Sequence, residues 1–564
     1  MTDTAQQPAA ETDVNSVAFV SLGCPKNLVD SEKMLGLLAE AGVRPVDFDA
    51  HDPGSSTEAD AVVVNTCGFL EASKQESLGV IRDAVRRKEA GELKRVVVAG
   101  CLVQRHRAKM LEWEPGIDAM IGVFDRDHVV RAVRGDRPDR DTLAGASDAP
   151  KYWIAGNALV AAKERGQDTV GLTVHGKDGK GIGYFEDDGA RLRLTPRHYA
   201  YLKVSEGCNQ ACAFCTIPSI RGKMRSKPMD RIVDEARELL EDGCFELNLI
   251  GQDTTSFGDD VGAGFDGNTG GLVTLLERLN GVVDSHAGGH GWVRLMYAYP
   301  SNFADEMIDA IRDLPHVCKY IDIPLQHASN NMLTAMRRHV TAEHQRDLML
   351  KLRERIPGIA IRTTMITGFP GETEEDHQQL LEFIEEIGFD ALGVFEYSRE
   401  AGTPAGTMDE DPDRHVPADV KRRRHDEIMS LQRSIAHEQA SYLAEQWDPD
   451  DPVDTGLHFD VLIDERLRSQ SLGIGVDPAG ESVEASGKRA HAGDRHAAAA
   501  GEGVLHKGRC YFQAIDIDAL TYVQSRAALA PGELVRCVIV GSDGYDLIAR
   551  PVEDLRRTVS LPIL

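Results

Sequence analysis

Short apolar runs alternate with longer segments of helical periodicity along the first quarter of the chain. Each run has the length of a strand and leads through a polar loop into a helix-like segment. The runs are VAFVS (Val17–Ser21), AVVVN (Ala61–Asn65) and RVVVAG (Arg95–Gly100). Uninterrupted apolar runs are typical of strands buried on both faces of a parallel sheet. The pattern therefore predicts a parallel α/β sheet domain over residues 15–130, preceded by a disordered tail at residues 1–14.

The same alternation resumes at His198 and predicts a second α/β unit over residues 198–435. Between its strand-like runs the chain has helical periodicity, for example at Met229–Glu241 and Glu374–Ile387. The runs are AYLKVS (Ala200–Ser205), ELNLIG (Glu246–Gly251), WVRLMY (Trp292–Tyr297), KYIDIP (Lys319–Pro324), IAIRTTMI (Ile359–Ile366) and ALGVFEY (Ala391–Tyr397). Six βα units favour a (β/α)6 barrel or partial barrel, with its chemistry at the carboxyl ends of the strands.

Two other regions depart from this pattern. Residues 131–197 are rich in Asp, Arg and Gly and are predicted to form a linker with an insertion. A charged helical run from Ala418 to about Glu445 leads into strand-like alternation, which predicts a small antiparallel β-barrel over residues 436–564. Residues 466–507 interrupt this barrel and are predicted to be a flexible insertion, because they are rich in Gly, Ala and Ser.

Composition and charge narrow the class of protein. The 564 residues exceed what one hydrophobic core supports, so we expect about two to four domains. The N-terminal segment lacks the basic and apolar stretches of a signal peptide, and no run is long enough to span a bilayer, so we expect a cytoplasmic protein without a membrane partner. The formal net charge of −28 argues against direct RNA binding and favours a basic protein as the partner.

The strongest chemical signal is the C-x3-C-x2-C motif formed by Cys208, Cys212 and Cys215, just after the first barrel strand. Three thiolates at this spacing can hold three irons of a four-iron cluster and leave the fourth iron open to another ligand. Phe214 lies where it could shield such a cluster from water. A zinc knuckle is the plainer alternative, but no fourth cysteine or histidine follows at knuckle spacing. The motif therefore predicts an iron–sulfur site.

A second constellation consists of Cys24, Cys67 and Cys101, each of which follows one of the three N-terminal strands. In a parallel sheet those strand ends share one edge, so the three thiols can converge although they are distant in sequence. Three independent buried cysteines are the alternative. We predict a second cluster here. The remaining cysteines match no motif and are interpreted as ordinary buried thiols; they are Cys244, Cys318, Cys510 and Cys537.

The C-x3-C-x2-C motif and the six βα units together resemble the radical S-adenosylmethionine superfamily. SLGCPKNLVDSE, VVNTCGFLEASKQES and VVAGCLVQR make the N-terminal domain similar to that of its methylthiotransferase branch, and the C-terminal region resembles the substrate-binding TRAM barrel of that branch. The resemblance implies two [4Fe–4S] clusters and S-adenosylmethionine as cofactors. The cluster on the C-x3-C-x2-C motif would bind S-adenosylmethionine through its open iron, and the auxiliary cluster on the three N-terminal cysteines would carry the transferred sulfur.

The resemblance also implies contacts with S-adenosylmethionine at the ends of the barrel strands. A residue after the second strand is expected to face the methionine part, although a turn capped by Asp253 explains the same segment. An arginine on the fifth strand and two glycines of the following loop are expected to reach the adenosyl group, since glycines let backbone amides approach a ligand closely. His327 is expected to point into the cavity, with a structural hydrogen-bonding role as the alternative. The four candidate contacts are Gln252, Arg362, Gly368 and Gly371.

Two branches of the methylthiotransferases differ in substrate: one modifies an adenosine of transfer RNA, the other an aspartate of the twelfth small-subunit ribosomal protein. GCPKNLVDSE, IPSIRGK, GQDTTSFG and YIDIPLQHAS resemble the ribosomal-protein branch. From Ser441 onward, 20 acidic and 12 basic residues give a net charge of −8, which suits a basic protein better than RNA. The resemblance therefore implies methylthiolation of the aspartate β-carbon, on the free protein or in the ribosome, with an external one-electron donor.

Two alternatives stay open from the sequence. A transfer-RNA methylthiotransferase would share the chemistry but would need a basic face on the C-terminal barrel. A non-enzymatic iron–sulfur carrier or zinc scaffold would need neither the barrel nor two sites with open irons.

Overall fold

The computed structural model of this chain describes residues 14–46, 58–107, 109–135, 191–261, 271–286, 288–467 and 503–556, together with the backbone of residues 152–153. Residues 1–13 of the predicted tail, and most of the predicted linker and insertions, lie outside the described residues.

The N-terminal unit is a six-stranded parallel sheet. Its strands are β1 (Ser16–Ser21), β2 (Arg44–Val46), β3 (Ala61–Thr66), β4 (Arg95–Gly100), β5 (Ala119–Ile121) and β6 (Tyr152–Trp153). Its helices are α1 (Pro25–Glu40), α2 (Glu71–Glu89), α3 (Cys101–His106), α4 (Lys109–Trp113) and α5 (Val129–Arg134). The strand order is β2-β1-β3-β4-β5-β6, and every pairing is parallel. The predicted parallel sheet is confirmed.

Helices on both faces of this sheet explain its apolar runs. Every residue of β3 and β4 is buried. Val62 packs in one core with Ile81 of α2, while Val63 packs on the other face with Leu38 of α1. Because the strands run in the same direction, the loops after β1, β3 and β4 lie at one edge of the sheet. Each of these loops carries one of the three N-terminal cysteines.

The central unit contains six parallel strands in chain order. They are β7 (Tyr199–Lys203), β10 (Glu246–Ile250), β11 (Trp292–Leu295), β12 (Tyr320–Asp322), β13 (Ala360–Thr367) and β14 (Ala391–Glu396); a short ribbon, β8 (Ser205–Glu206) with β9 (Arg225–Ser226), follows β7. The strands form two three-stranded sheets that a parallel bridge between Val293 and Val317 joins. Since β7 and β14 are not paired in the described ranges, the barrel is open on that side. The predicted (β/α)6 partial barrel is confirmed.

Helices cover the outside of this partial barrel and bury its apolar strand residues in one large core. The helices are α6 (Ile217–Arg221), α7 (Met229–Glu241), α8 (Gly271–His286), α9 (Asp305–Asp313), α10 (Asn330–Ala335), α11 (Ala342–Arg355), α12 (Glu374–Ile387) and α13 (Pro404–Met408). Helices α7 and α12 begin and end at the residues that the sequence predicted.

Helix α14 (Ala418–Glu445) leads into a closed five-stranded barrel. The barrel strands are β15 (His458–Arg466), β16 (Val504–Arg509), β17 (Thr521–Ser525), β18 (Leu534–Asp543) and β19 (Asp546–Pro551), followed by α15 (Val552–Leu555). All pairings are antiparallel except that of β17 with β19. Like every other helix in the described ranges, α14 does not combine the length and the apolar character needed to cross a lipid bilayer.

Three boundaries differ from those expected from the sequence. Helix α5 (Val129–Arg134) crosses the expected boundary between residues 130 and 131, and β6 lies in the expected linker but pairs with the N-terminal sheet. Strand β16 begins at Val504, inside the segment 466–507 that was expected to be an insertion. Helix α14 continues without a break across the expected boundary between residues 435 and 436. It packs on β14 of the central barrel through Ile428 and on the C-terminal barrel through Ala440, so it belongs to both units.

The C-terminal barrel closes the amino end of the central barrel through buried ion pairs. Glu246 at the start of β10 accepts hydrogen bonds from Arg294 (2.6 Å) and from Arg509 of β16 (2.6 Å), and all three side chains are fully buried. Burial opposes the charge of Glu246, but the Arg509 and Arg294 guanidiniums outweigh it and hold its pKa below the usual value. Asp518 accepts a hydrogen bond from Tyr320 at the same end.

Removing Glu246 should therefore destabilise the junction between the two barrels. Glu246→Ala leaves two buried guanidiniums without their shared carboxylate, and breaking a buried pair in this way costs about 3–5 kcal/mol. We expect a clearly lower thermal unfolding temperature. Arg237→Ala, which removes a half-exposed pair with Asp234, is the control and should leave the unfolding temperature nearly unchanged. Equal shifts in the two variants would contradict a stabilising role of this junction.

Candidate active site

The C-x3-C-x2-C segment forms a loop between β8 and α6, at the carboxyl end of the first barrel strand. Cys208, Cys212 and Cys215 are half-buried and unbridged. The backbone N–H of Gln210 donates to Cys208 Sγ (3.4 Å), and that of Ile217 donates to Cys215 Sγ (3.4 Å). Such N–H to sulfur bonds help to set the potential of iron–sulfur clusters. Two of the three sulfurs in this loop, those of Cys208 and Cys215, thus accept backbone hydrogen bonds.

Backbone hydrogen bonds fix this loop to the rest of the barrel. The N–H of Ala213 donates to Met336 O (2.9 Å), and the N–H of Ala405 donates to Ala213 O (2.9 Å). Phe214 packs against the apolar cluster that contains Phe369 and Tyr397. Its position beside Cys215 is the one expected of a side chain that keeps water from the site.

An arginine and a tyrosine that the sequence did not indicate flank Cys212. The guanidinium of Arg338 lies 3.3 Å from Cys212 Sγ and 4.3 Å from the centroid of the Tyr299 ring. The Tyr299 hydroxyl donates to Arg338 O (2.9 Å) and is 3.9 Å from Cys212 Sγ. Burial raises the pKa of Cys208 to about 11 and that of Cys215 to about 12. Without a cation bound to them, these two thiols are neutral at pH 7.

The structure brings the three N-terminal cysteines together at one edge of the parallel sheet. Cys24 caps the start of α1, Cys67 follows β3 and Cys101 begins α3. Burial raises the pKa of Cys101 to about 12; the guanidinium of Arg221 lowers it, and the charges of Cys24 and Cys67 raise it. Burial likewise raises the pKa of Cys67, with a further rise from Cys24. Contacts agree with this placement: Gly23, next to Cys24, lies against Cys67, and Asn27, whose N–H donates to Cys24 O (2.9 Å), has its Oδ1 3.7 Å from Cys101 Sγ.

The two groups of thiols fit iron–sulfur clusters better than a single metal ion. Among the described residues, no three His, Cys, Asp or Glu side chains meet as the ligands of one metal ion would. Cysteines that hold a four-iron cluster bind different irons, so their sulfurs need not meet at one point. In both groups a buried arginine also lies 3.3 Å from one sulfur, which suits an anionic cluster. That these six cysteines are the ligands stays a prediction.

A buried ion network joins the two groups. Asp30 of α1 pairs with Arg126 (2.6 Å), Lys203 (2.6 Å) and Arg221 (3.3 Å), and Arg221 also pairs with Glu206 (2.7 Å). All five side chains are buried. The network therefore fixes the N-terminal sheet on the mouth of the central barrel.

Gln252 lies at the end of β10, where the sequence placed it. Its Nε2 donates to Glu206 Oε1 (3.2 Å), while its Oε1 is buried and has no hydrogen-bond partner among the described residues. A buried acceptor without a partner is costly, so this atom suits a donor such as the ammonium of the methionine part of S-adenosylmethionine. The next residue, Asp253, accepts hydrogen bonds from Thr255 and Ser256. The segment therefore also forms the turn capped by Asp253 that was the structural alternative.

The other three candidate contacts have structural partners of their own. Arg362 pairs with Asp322 (2.6 Å) and with Asp518 of the C-terminal barrel (3.3 Å). The N–H of Gly368 donates to the Glu372 carboxylate, and that of Gly371 donates to a backbone carbonyl (2.7 Å). Both backbone N–H groups therefore already donate hydrogen bonds within the protein. Contact of these three residues with the adenosyl group stays a prediction.

The structural role that the sequence allowed for His327 is seen at this end of the barrel, next to a helix-capping motif. His327 is fully buried; its Nδ1 accepts from the N–H groups of Ala328 and Ser329 (2.9 and 3.0 Å), so its Nε2 carries the proton toward Glu372 (3.4 Å). Residues 373–376 form a complete capping box at the start of α12.

Gly23 should be indispensable for the N-terminal cysteine site. Its φ is +91°, and a Cβ there would lie 2.7 Å from Cys67 Cβ and 3.1 Å from Cys67 Sγ. We expect Gly23→Ala to displace Cys67 and to remove about half of the iron, since each cluster carries four irons. Gly42→Ala is the matched control, because Gly42 also has a positive φ (+79°) but a Cβ there meets no atom within 4 Å. Full iron content in Gly23→Ala would contradict this placement.

Comparisons with known proteins give matches in all three units of the chain. Family models match residues 202–384 (Radical SAM superfamily), residues 16–122 (Uncharacterized protein family UPF0004) and residues 499–552 (TRAM domain). Among solved structures, the radical S-adenosylmethionine methyltransferase TsrM from Kitasatospora setae is 14% identical, with a TM-score of 0.46, over 70% of this chain and 74% of that chain.

Similarity to curated relatives extends over nearly the whole chain. The ribosomal protein uS12 methylthiotransferase RimO of Desulforamulus reducens is 41% identical over 533 residues, which cover 94% of this chain and 98% of the relative. The protein of the same name from Koribacter versatilis is 35% identical over 560 residues, which cover 97% of this chain and 98% of the relative. With this identity over the full length of both proteins, the chain belongs to the RimO family of ribosomal protein uS12 methylthiotransferases.

Proposed function

We propose that this protein is a radical S-adenosylmethionine enzyme that adds a methylthio group to ribosomal protein uS12. The observation that carries the proposal is the placement of two three-cysteine sites on either side of one buried interface. The names of the full-length relatives supply the substrate. Because that substrate is part of the ribosome, we place the protein in the cytoplasm.

The two cysteine sites are close enough to serve one substrate. Thr216, next to Cys215, donates through its hydroxyl to Phe69 O (3.5 Å), two residues after Cys67. Arg105 of α3 donates to Gly68 O (2.8 Å) and pairs with Glu400 of the barrel (3.0 Å). The loop that carries Cys67 therefore lies against the loop that carries Cys215. A substrate side chain at the barrel mouth can reach both.

Each site has a separate task. When bound, the cluster on the C-x3-C-x2-C loop supplies the electron that cleaves S-adenosylmethionine to the 5′-deoxyadenosyl radical, and the auxiliary cluster supplies the sulfur. Gln252 accepts a hydrogen bond from the methionine part of the cofactor, while Phe214 and the buried network around Asp30 exclude water. Held by Cys208, Cys212 and Cys215 and by Cys24, Cys67 and Cys101, the two groups would supply hydrogen abstraction from the β-carbon of the target aspartate and delivery of the methylthio group to that carbon. A second S-adenosylmethionine provides the methyl, and an external one-electron donor provides the electron.

Charge favours a basic protein over RNA as the substrate. The region from Ser441 onward has a net charge of −8, and the whole chain has −28. A phosphate backbone would be repelled by such a surface, whereas a basic ribosomal protein would be attracted. Transfer-RNA methylthiolation is therefore the second candidate, and a carrier or scaffold without catalysis is the third.

The deciding experiment offers both substrates to one enzyme. Protein with its clusters rebuilt without oxygen is mixed with S-adenosylmethionine, a reductant and sulfide, and then given uS12 or bulk transfer RNA. We expect mass spectrometry to find a methylthio group on an aspartate of uS12 and none in the RNA. Methylthioadenosine in the RNA with unmodified uS12 would support the methylthiotransferase activity but would show that uS12 is not the substrate. Absence of 5′-deoxyadenosine would overturn the enzyme class.

A further inference from the structure

One arginine connects the two cysteine sites directly. Arg221 is the last residue of α6, which begins two residues after Cys215. Its side chain is 1% exposed, and its guanidinium lies 3.3 Å from Cys101 Sγ. A residue held by the loop of one predicted cluster thus donates a hydrogen bond to a ligand of the other. None of the roles proposed above uses this contact.

The guanidinium of Arg221 is held in this position from several sides. It donates to Glu206 Oε1 (2.7 Å), Asn27 Oδ1 (2.9 Å) and Asp30 Oδ2 (3.3 Å). Asn27 is itself fixed, because its Nδ2 donates to Leu22 O (2.9 Å) and to Thr66 O (2.8 Å). An arginine stays protonated in proteins, so this site holds a full positive charge beside the sulfur in both redox states of a cluster.

We propose that Arg221 is a positioning residue that raises the reduction potential of the auxiliary cluster and thereby favours sulfur transfer; this inference rests on the proposed function. When the substrate carbon radical forms its bond to sulfur, one electron of that bond comes from the carbon and one from the broken iron–sulfur bond. One electron is then left on the auxiliary cluster. A cation and an N–H donor at Cys101 stabilise this more negative product, as hydrogen bonds to cluster sulfurs generally do.

The potential of the auxiliary cluster provides a test that does not depend on turnover. Full-length protein with Cys208, Cys212 and Cys215 replaced by alanine retains only the auxiliary cluster, so its midpoint potential can be titrated by EPR. In that background we expect Arg221→Met to lower the potential by at least a tenfold change in the reduction equilibrium, about 59 mV for a one-electron couple. Arg221→Lys keeps the positive charge but loses the planar set of N–H donors, so its midpoint potential should decrease less than that of Arg221→Met. In otherwise unaltered protein, Arg221→Met should form more 5′-deoxyadenosine per methylthio product.

Arg126→Met is the matched control, because Arg126 is a buried arginine that pairs with the same Asp30 (2.6 Å). It should leave the potential near that of the parent. If Arg221→Met loses the auxiliary iron while Arg126→Met keeps it, Arg221 is needed to retain the auxiliary cluster. The reduction potential is then measured on Arg221→Lys. Unchanged potentials in all Arg221 variants would overturn the inference and leave the proposed function intact. A parent protein with iron for only one cluster would instead overturn the proposed function.

Discussion

Replacing Cys212 by alanine should abolish the cleavage of S-adenosylmethionine. Cys212 is the middle cysteine of the C-x3-C-x2-C loop and a predicted cluster ligand, and its sulfur receives the hydrogen bond from Arg338 (3.3 Å). A four-iron cluster with only two protein ligands is poorly held, and without it no electron reaches the cofactor. We expect 5′-deoxyadenosine to fall to the background of a reaction without enzyme, and iron to fall by about half because each cluster carries four irons.

The control for this experiment is a buried thiol in the same domain. Cys318 is 4% exposed in the central barrel and belongs to an apolar cluster with Tyr320 and Ala360. Cys318→Ala removes one buried sulfur but no predicted ligand, so its iron content and its cleavage of the cofactor should stay close to those of the parent. Cofactor cleavage by Cys212→Ala at a rate near that of Cys318→Ala would contradict the assignment of the radical site.

The fold could be predicted well from the sequence where strands are buried on both faces. Such strands leave largely apolar runs, and β3, β4, β7, β10 and β12 are buried throughout. The strand β16 was missed because VLHKGR has only two apolar residues, followed by polar residues and Gly, and adjoins a segment rich in Gly and Ala. The strands β2, β5 and β6 have three residues or fewer, which is too short for a periodic pattern to register.

The candidate site could be predicted only as far as its cysteines. Cysteine is rare and its spacing carries information, so the C-x3-C-x2-C motif is visible in the sequence alone. Arg221 and Arg338 are ordinary residue types that lie 120 and 126 positions from the sulfurs they touch. Only tertiary packing brings such pairs together, and no local pattern records it.

The glycines of the loop after β13 show that one sequence signal can have two causes. Their presence suggested backbone amides open to a ligand. In the structure, a Cβ at Gly368 would lie 2.3 Å from Cγ of Lys421 on α14, so close packing is enough to require glycine there. The sequence alone does not distinguish a glycine required by a turn or by close packing from one that binds a cofactor.

Replacing Cys67 by alanine should separate the two halves of the reaction. Cys67 follows β3 of the N-terminal sheet, whereas the predicted ligands of the radical site lie on the barrel. We therefore expect Cys67→Ala still to form 5′-deoxyadenosine but to lose the methylthio product and about half of the iron. The measurement is the ratio of 5′-deoxyadenosine to modified uS12, taken by chromatography and mass spectrometry of the same reaction. Cys537→Ala, which removes a fully buried thiol of the C-terminal barrel, should keep the ratio of the parent. A Cys67→Ala enzyme that still forms full product would show that the sulfur does not come from a cluster on the three N-terminal cysteines.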